Sequence, residues 1–242
     1  MADVSANQKE AGRLAHIEPL FKFEDKIAPP HTALLVIDMQ NDFAAEGGMS
    51  DREGLDCSMI RDMAMRLPKL CDAARRASVL LVFVRNLYST ERNFYLSDVW
   101  LEQAARMRKG SYTEYPVCGT GTWGAEFYGN IRPAEHDVVV TKHRFNAFHN
   151  TDLDTILRAN GIRSLVFSGC VSNVCVESTA RDAFMRDYYV IVTSDGTAAY
   201  TAESHNATLS NIDKYFGEVS TIADVCAIWQ RCTKSAQGIA RR

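Results

Sequence analysis

Short apolar runs punctuate the chain, and each is closed by polar residues or glycine. Ala33-Leu34-Leu35-Val36-Ile37 stops at Asp38, and Val79 to Val84, Asp137 to Thr141, Ser164 to Ser168 and Tyr189 to Thr193 repeat the pattern. Runs that are apolar at consecutive positions and rich in β-branched residues suit strands buried on both faces of a parallel sheet. Between them, apolar residues recur at helical spacing over Met59 to Arg76, Asp152 to Asn160 closed by Gly161, Val174 to Arg186, and Ala202 to Phe216. A sixth strand is expected at Glu218-Val219-Ser220 and a last helix from Ile222 to Gln230. Strands alternating with helices predict a three-layer α/β/α sandwich around a mostly parallel, doubly wound six-stranded sheet. Tyr88 to Arg132 carries several aromatics and no long period, and reads as an excursion over the sheet edge that holds the chemistry.

The pattern also sets the domain organisation. Residues 1–30 are polar and end in Pro29-Pro30, which continues neither a helix nor a central strand, so they read as an N-terminal arm. Residues 31–232 read as one domain and 233–242 as a tail. A chain of 242 residues with 46% hydrophobic content can bury that domain in a single core. Its 27 basic and 30 acidic side chains are interspersed, which excludes the basic stripe of a nucleic-acid binder and the polybasic run of a membrane-surface protein. A small-molecule partner is expected. Seven cysteines are an odd number, and residues 1–30 lack the apolar stretch of a signal peptide. Free thiols in a reducing, cytoplasmic compartment follow as the expectation.

In an open parallel sheet ligands bind beyond the carboxyl ends of the strands, so the residues that close each run carry the candidate chemistry. Asp38 closes the first run and Lys142 the third. Cys175 lies in the turn Gly169-Cys170-Val171-Ser172-Asn173-Val174-Cys175 that leads from the fourth run into a helix. Singly, an aspartate there is a turn or cap residue, a lysine is a surface charge and a cysteine is a small buried group. Together, an acid, an ammonium and a thiol at three ends of one sheet are what an activated nucleophile needs. A free thiol with a pKa near ~8.5 is mostly protonated at neutral pH. Placement at the first turn of a helix and the charge of Lys142 are expected to favour the thiolate, with Asp38 as the base. A low-pKa cysteine would equally suit a redox-sensing thiol protein with Cys170 as resolving partner, and a non-catalytic binding protein on this fold would need no triad.

Leu34 to Phe43 (LLVIDMQNDF), the strand end at Lys142 and the elbow Gly169 to Val176 resemble the isochorismatase-like cysteine hydrolases over roughly residues 31–230. The resemblance implies that Asp38, Lys142 and Cys175 correspond to the family's catalytic triad. It also implies a non-proline cis peptide between Cys170 and Val171, and an oxyanion hole formed by the N–H groups of Val171 and Cys175. Lys142 to Thr151 and Asn173 to Thr179 look most like the ureidoacrylate amidohydrolases of pyrimidine breakdown. That similarity implies a homo-oligomeric enzyme, free of cofactors, which hydrolyses a ureido or carbamoyl amide through a thioester and releases ammonia or carbamate. The biuret, triuret and N-carbamoyl amino acid hydrolases of the family remain alternatives. Asn41, Phe43, Asn86, Tyr88, Trp123, Phe145 and Phe148 are candidate pocket residues, with His149 as a further substrate contact. The nicotinamidase branch carries metal-ligating histidines after the second strand, where this chain reads Val84-Arg85-Asn86-Leu87-Tyr88-Ser89, so no metal is expected. Gly47-Gly48 and Gly119-Thr120-Gly121 lack the spacing of a phosphate-binding loop and read as turns.

Overall fold

A computed structural model of the protein describes residues 17–88, 92, 94–107 and 117–239, with side chains to 233. The elements follow in the order α1 (Phe23–Lys26), β1 (Thr32–Ile37), α2 (Asn41–Ala44), α3 (Met49–Arg52), α4 (Ser58–Ala64), α5 (Leu67–Arg76), β2 (Leu80–Asn86), α6 (Asp98–Met107) and β3 (Val138–Lys142). Then come α7 (Leu153–Ala159), β4 (Ser164–Cys170), α8 (Glu177–Met185), β5 (Tyr189–Ala198), α9 (Ala202–Asn211), β6 (Glu218–Ser220) and α10 (Ile222–Ile239). The sheet order is β3-β2-β1-β4-β5-β6, and every neighbouring pair is parallel. Helices cover both faces, as the alternation of runs and helical segments predicts.

Every residue of β1 is buried, because its alternate side chains feed two cores. Leu34 and Val36 point into the layer shared with α4, α5 and α10, whereas Ala33, Leu35 and Ile37 point into the layer under α7 and α8. The first layer also anchors the segment that precedes β1. Ile27 is fully buried there, and the indole of Trp229 donates to its carbonyl at 2.9 Å.

Several boundaries differ from the sequence expectation for identifiable reasons. The helical period over Met59 to Arg76 breaks into α4 and α5 because Pro68 sits in the first turn of α5, and a proline disfavours helical backbone at the residue before it. Strand β2 continues through Arg85 and Asn86, polar residues that an apolar run does not include. Helix α6 lies inside the expected excursion, whose residues 89–91, 93 and 108–116 are outside the described residues. The last helix runs to Ile239, nine residues beyond Gln230, since Arg231 to Gln237 contain no helix breaker.

The sheet order creates the place for a site. After β1 the chain moves outward through β2 to β3, then returns to the other side of β1 with β4, so the β1/β4 boundary is the topological switch point where ligands settle. At that boundary Gly169 pairs with Ile37 at φ +103°, and a Cβ there would lie 2.0 Å from the Ile37 carbonyl oxygen. Only glycine fits. Between Phe167 and Gly169 the register with β5 shifts from Val192 to Thr197, so the extra residues of the bulge lie in β5.

Candidate active site

Asp38 follows β1 with φ 51°, a left-handed conformation that aspartate tolerates better than most residues. Its N–H donates to Val84 O at 2.9 Å, and its carbonyl accepts from Gln40 N at 2.8 Å and from the Cys170 thiol at 3.3 Å. The turn is therefore braced by both neighbouring strands. Lys142 ends β3, two strands from β1, a separation of about 9–10 Å. Only a long side chain crosses that gap. Its Nζ lies 2.8 Å from Asp38 Oδ2, 3.4 Å from Cys175 Sγ and 3.1 Å from the carbonyl of Arg144. Cys175 sits in a π-helical turn, Ser172–Val176, that precedes α8. The peptide between Cys170 and Val171 is cis, as the resemblance implies.

The three residues at the three strand ends thus converge, and they do so away from water: Lys142 is 0%, Asp38 1% and Cys175 4% exposed. Burial dominates the electrostatics. Loss of hydration raises the Asp38 carboxyl above its usual range, against the opposing pull of Lys142. The Lys142 ammonium, although burial alone would lower it, is held above its usual range by Asp38. The Cys175 thiol is pushed well up, first by burial and then by the Asp38 charge, and Lys142 only partly offsets this. The expectation of a low-pKa thiolate is therefore corrected. The resting site is a neutral thiol beside a buried Asp38–Lys142 ion pair. The redox-sensing alternative loses its basis with it, because such sensors need an accessible, low-pKa thiol, and Cys170 is likewise buried and raised.

Asn86 lies in register with Lys142 and fills the floor between Asp38 and Tyr88. Its amide donates to Asp38 Oδ2 at 3.3 Å and to the Tyr88 hydroxyl at 2.9 Å. Among the described residues the buried Asn86 Oδ1 has no hydrogen-bond partner, whereas the Asp38 carboxylate faces the Cys175 thiol. Beyond Tyr88 the rings continue through Trp100, 5.5 Å away, to Phe145, 4.7 Å from Trp100.

The remaining candidates separate. Asn41 is buried and donates from Nδ2 to the carbonyl of Trp123 at 2.8 Å, holding the half-exposed Trp123 beside α2. Phe43 is buried in the first core layer. Phe148 stacks on Tyr188 at 6.0 Å beneath the Arg186 guanidinium, in the second core layer, and His149 is exposed beside Asn150. Among the described residues, no hydrogen bond or ring contact joins Phe148 or His149 to Asp38, Lys142 or Cys175.

Other supporting residues carry no signal that spacing alone could find. Gln40 is fully buried, accepts from Asn86 N at 2.7 Å and donates to Asn86 O and Ala125 O at 3.0 and 2.9 Å, tying β2 to the 125–128 segment. Asp42 accepts from Met49 N and Cys118 N at 3.0 and 2.6 Å and packs so close to Gly124 that a Cβ there would lie 2.3 Å from its carboxylate. Thr179 Oγ1 accepts from Ala147 N at 3.0 Å and donates to the carbonyl of Cys175 at 2.7 Å, joining the loop after Lys142 to the elbow.

Comparison with known proteins agrees with this geometry. The isochorismatase domain model matches residues 32–224. The ureidoacrylate amidohydrolase RutB of Agrobacterium fabrum is 36% identical over 208 residues, covering 84% of this chain and 91% of that protein. Its counterpart from Pseudomonas syringae pv. syringae is 37% identical over 218 residues, with 88% and 87% covered. Among solved structures, a cysteine hydrolase from Pseudomonas syringae pv. phaseolicola superposes with a TM-score of 0.74 at 29% identity, over 89% of this chain and 99% of that one. N-carbamoylsarcosine amidase from Thermoplasma acidophilum gives 0.62 at 27% identity, over 79% and 96%. With its fold, its three converging strand ends and a family match over most of its length, this chain belongs to the isochorismatase family.

Proposed function

We propose that this chain is a cysteine amidohydrolase that cleaves a C–N bond, other than a peptide bond, in a small ureido or carbamoyl substrate of the ureidoacrylate kind. The observation that carries the reading is the buried Asp38–Lys142 pair facing the Cys175 thiol. A carboxylate whose pKa is raised by burial is a better base than an ordinary aspartate, and Asp38 can take the thiol proton as Cys175 Sγ attacks the carbonyl carbon. The N–H groups of Val171 and Cys175 stabilise the resulting oxyanion, an interaction that contributes roughly 3–4 kcal/mol per donor in comparable sites. Collapse of the tetrahedral intermediate breaks the C–N bond, and Asp38 returns the proton to the departing nitrogen. Asp38 then takes a proton from water as it attacks the thioester carbonyl, and the thiol leaves with that proton. Lys142 offsets the charge of Asp38 whenever the carboxylate is ionised.

A carbamoyl NH2 group beside the reacting carbon would supply a donor to the buried Asn86 Oδ1, which has no partner among the described residues. The relatives named as ureidoacrylate amidohydrolases and N-carbamoylsarcosine amidase act on groups of this chemistry, which supports the reading. Ammonia release from a panel of ureido acids, biuret, triuret and simple amides tests it. Turnover on ureido compounds that vanishes in Cys175→Ser is expected, and turnover on simple amides alone would refute the substrate class.

A further inference from the structure

Behind the elbow, on the side away from Lys142, lies a buried histidine that the proposed mechanism does not use. His205 projects from α9 and is only 9% exposed. Its Nδ1 lies 2.8 Å from the hydroxyl of Ser172, and its Nε2 lies 3.1 Å from the carbonyl oxygen of Ser194 in the middle of β5. The partners fix the proton. A carbonyl can only accept, so Nε2 carries the hydrogen. In the neutral ring Nδ1 is then the acceptor, and the Ser172 hydroxyl donates to it. Loss of hydration on burial keeps the imidazole neutral.

Ser172 is fully buried and stands directly after Val171, at the start of the π-helical turn that carries Cys175. Its bond to His205 therefore fixes the backbone between the two N–H groups assigned to the oxyanion. The same face of α9 grips the elbow again: Thr208 donates to Glu177 Oε2 at 2.7 Å and Asn211 to Glu177 Oε1 at 3.2 Å, at the start of α8. One helix thus braces the turn both before and after Cys175. A π-helical turn has weaker intrinsic support than an α-helical one, so an outside clamp at its first residue decides its geometry.

We propose that His205 is a positioning residue for the nucleophile elbow, acting through Ser172 to hold the Val171 and Cys175 N–H groups in place for the tetrahedral intermediate. The inference rests on Cys175 being the nucleophile. Because the oxyanion exists only after attack, the clamp contributes to the transition state rather than to ground-state binding, and its loss lowers kcat with little change in KM.

The test compares Ser172→Ala, His205→Phe and the double variant on a ureide that the wild type hydrolyses, with the folded fraction of each measured by circular dichroism. The expected result is a fall in kcat of about tenfold, less than the roughly 10²–10³ for deleting an oxyanion donor outright, with KM within about twofold. The double variant should be no slower than the slower single one, since both single changes remove the same Ser172–His205 bond. His205→Asn, whose Oδ1 stands near the position of Nδ1, should recover most of the activity without the bond to Ser194. A kcat within about twofold of wild type in Ser172→Ala, losses that multiply in the double variant, an effect on KM alone, or no recovery in His205→Asn would each overturn the proposal. Should His205→Phe fail to fold, Ser172→Ala, which removes a single oxygen, decides the matter. Activity retained in Cys175→Ser would instead overturn the nucleophile reading, whatever the His205 variants do.

Discussion

Replacing Lys142 with methionine keeps the length and apolar stem of the side chain and deletes its charge. At 2.8 Å the Asp38–Lys142 attraction is on the order of 4–6 kcal/mol with an effective dielectric constant of about 20. Much of that offsets the cost of burying both ions, but removing one partner strands the other, and such changes cost about 3–5 kcal/mol. Asp38 has a cheaper way out, which is to stay protonated. Loss of the ammonium therefore lifts the carboxyl further above a value that burial has already raised. Less of the base is then ionised near neutral pH, and kcat/KM falls. The acid limb of the pH–rate profile should move upward, so that the deficit narrows at higher pH. Stability should respond in the same sense. Between the unfolded carboxyl pKa near ~3.9 and the raised folded value, the folded variant holds more protons than the unfolded chain, so its stability falls as pH rises. Steady-state profiles from pH 5 to 9, with denaturant unfolding at both ends of the range, check this. An acid limb that does not move would show that the ammonium does not govern Asp38, and the reasoning would fail.

Cys175→Ser should retain the fold and less than a tenth of the activity, because oxygen for sulfur changes nucleophilicity far more than packing. Asp38→Asn removes the negative charge that helps raise the thiol, so iodoacetamide should alkylate Cys175 faster than in the wild type while amide hydrolysis is lost; slower alkylation would contradict the assigned electrostatics. In the wild type, kcat/KM should fall on acidification with an apparent pKa above the ordinary carboxylate value of about 3.9, because Asp38 must be ionised to accept the thiol proton. Gly169→Ala should destabilise the protein by more than about 3 kcal/mol in denaturant titrations, since its Cβ would lie 2.0 Å from the Ile37 carbonyl at φ +103°; a loss below about 1 kcal/mol would mean the close approach of β4 to β1 does not depend on glycine.

The strand ends were legible because strands buried on both faces declare themselves as apolar runs, and the residue closing each run is easily read. Asp38, Lys142 and Cys175 were found that way, although spacing alone could not show that Lys142 reaches across two strands to Asp38. The state of the thiol was not legible, because helix position and a nearby lysine are visible in a sequence and the desolvation that outweighs them is not. Of the candidate contacts Phe148 and His149, the structure buries the first in the core layer that also holds Cys175 and exposes the second, a difference that their positions in the sequence do not reveal. His205 carries no signal at all as a lone histidine on a helix; its meaning depends on α9 packing against the elbow, a contact between residues 33 positions apart.

The central claim is that Cys175 becomes covalently acylated during hydrolysis. Rapid acid quench of the enzyme mixed with a ureido substrate, followed by intact mass and peptide mapping, tests it most directly. The account predicts a transient added mass equal to the acyl portion of the substrate, confined to the peptide containing Cys175 and absent in Cys175→Ser. Product formed within a single turnover while the adduct sits on another residue, or undiminished turnover in Cys175→Ser, would contradict it.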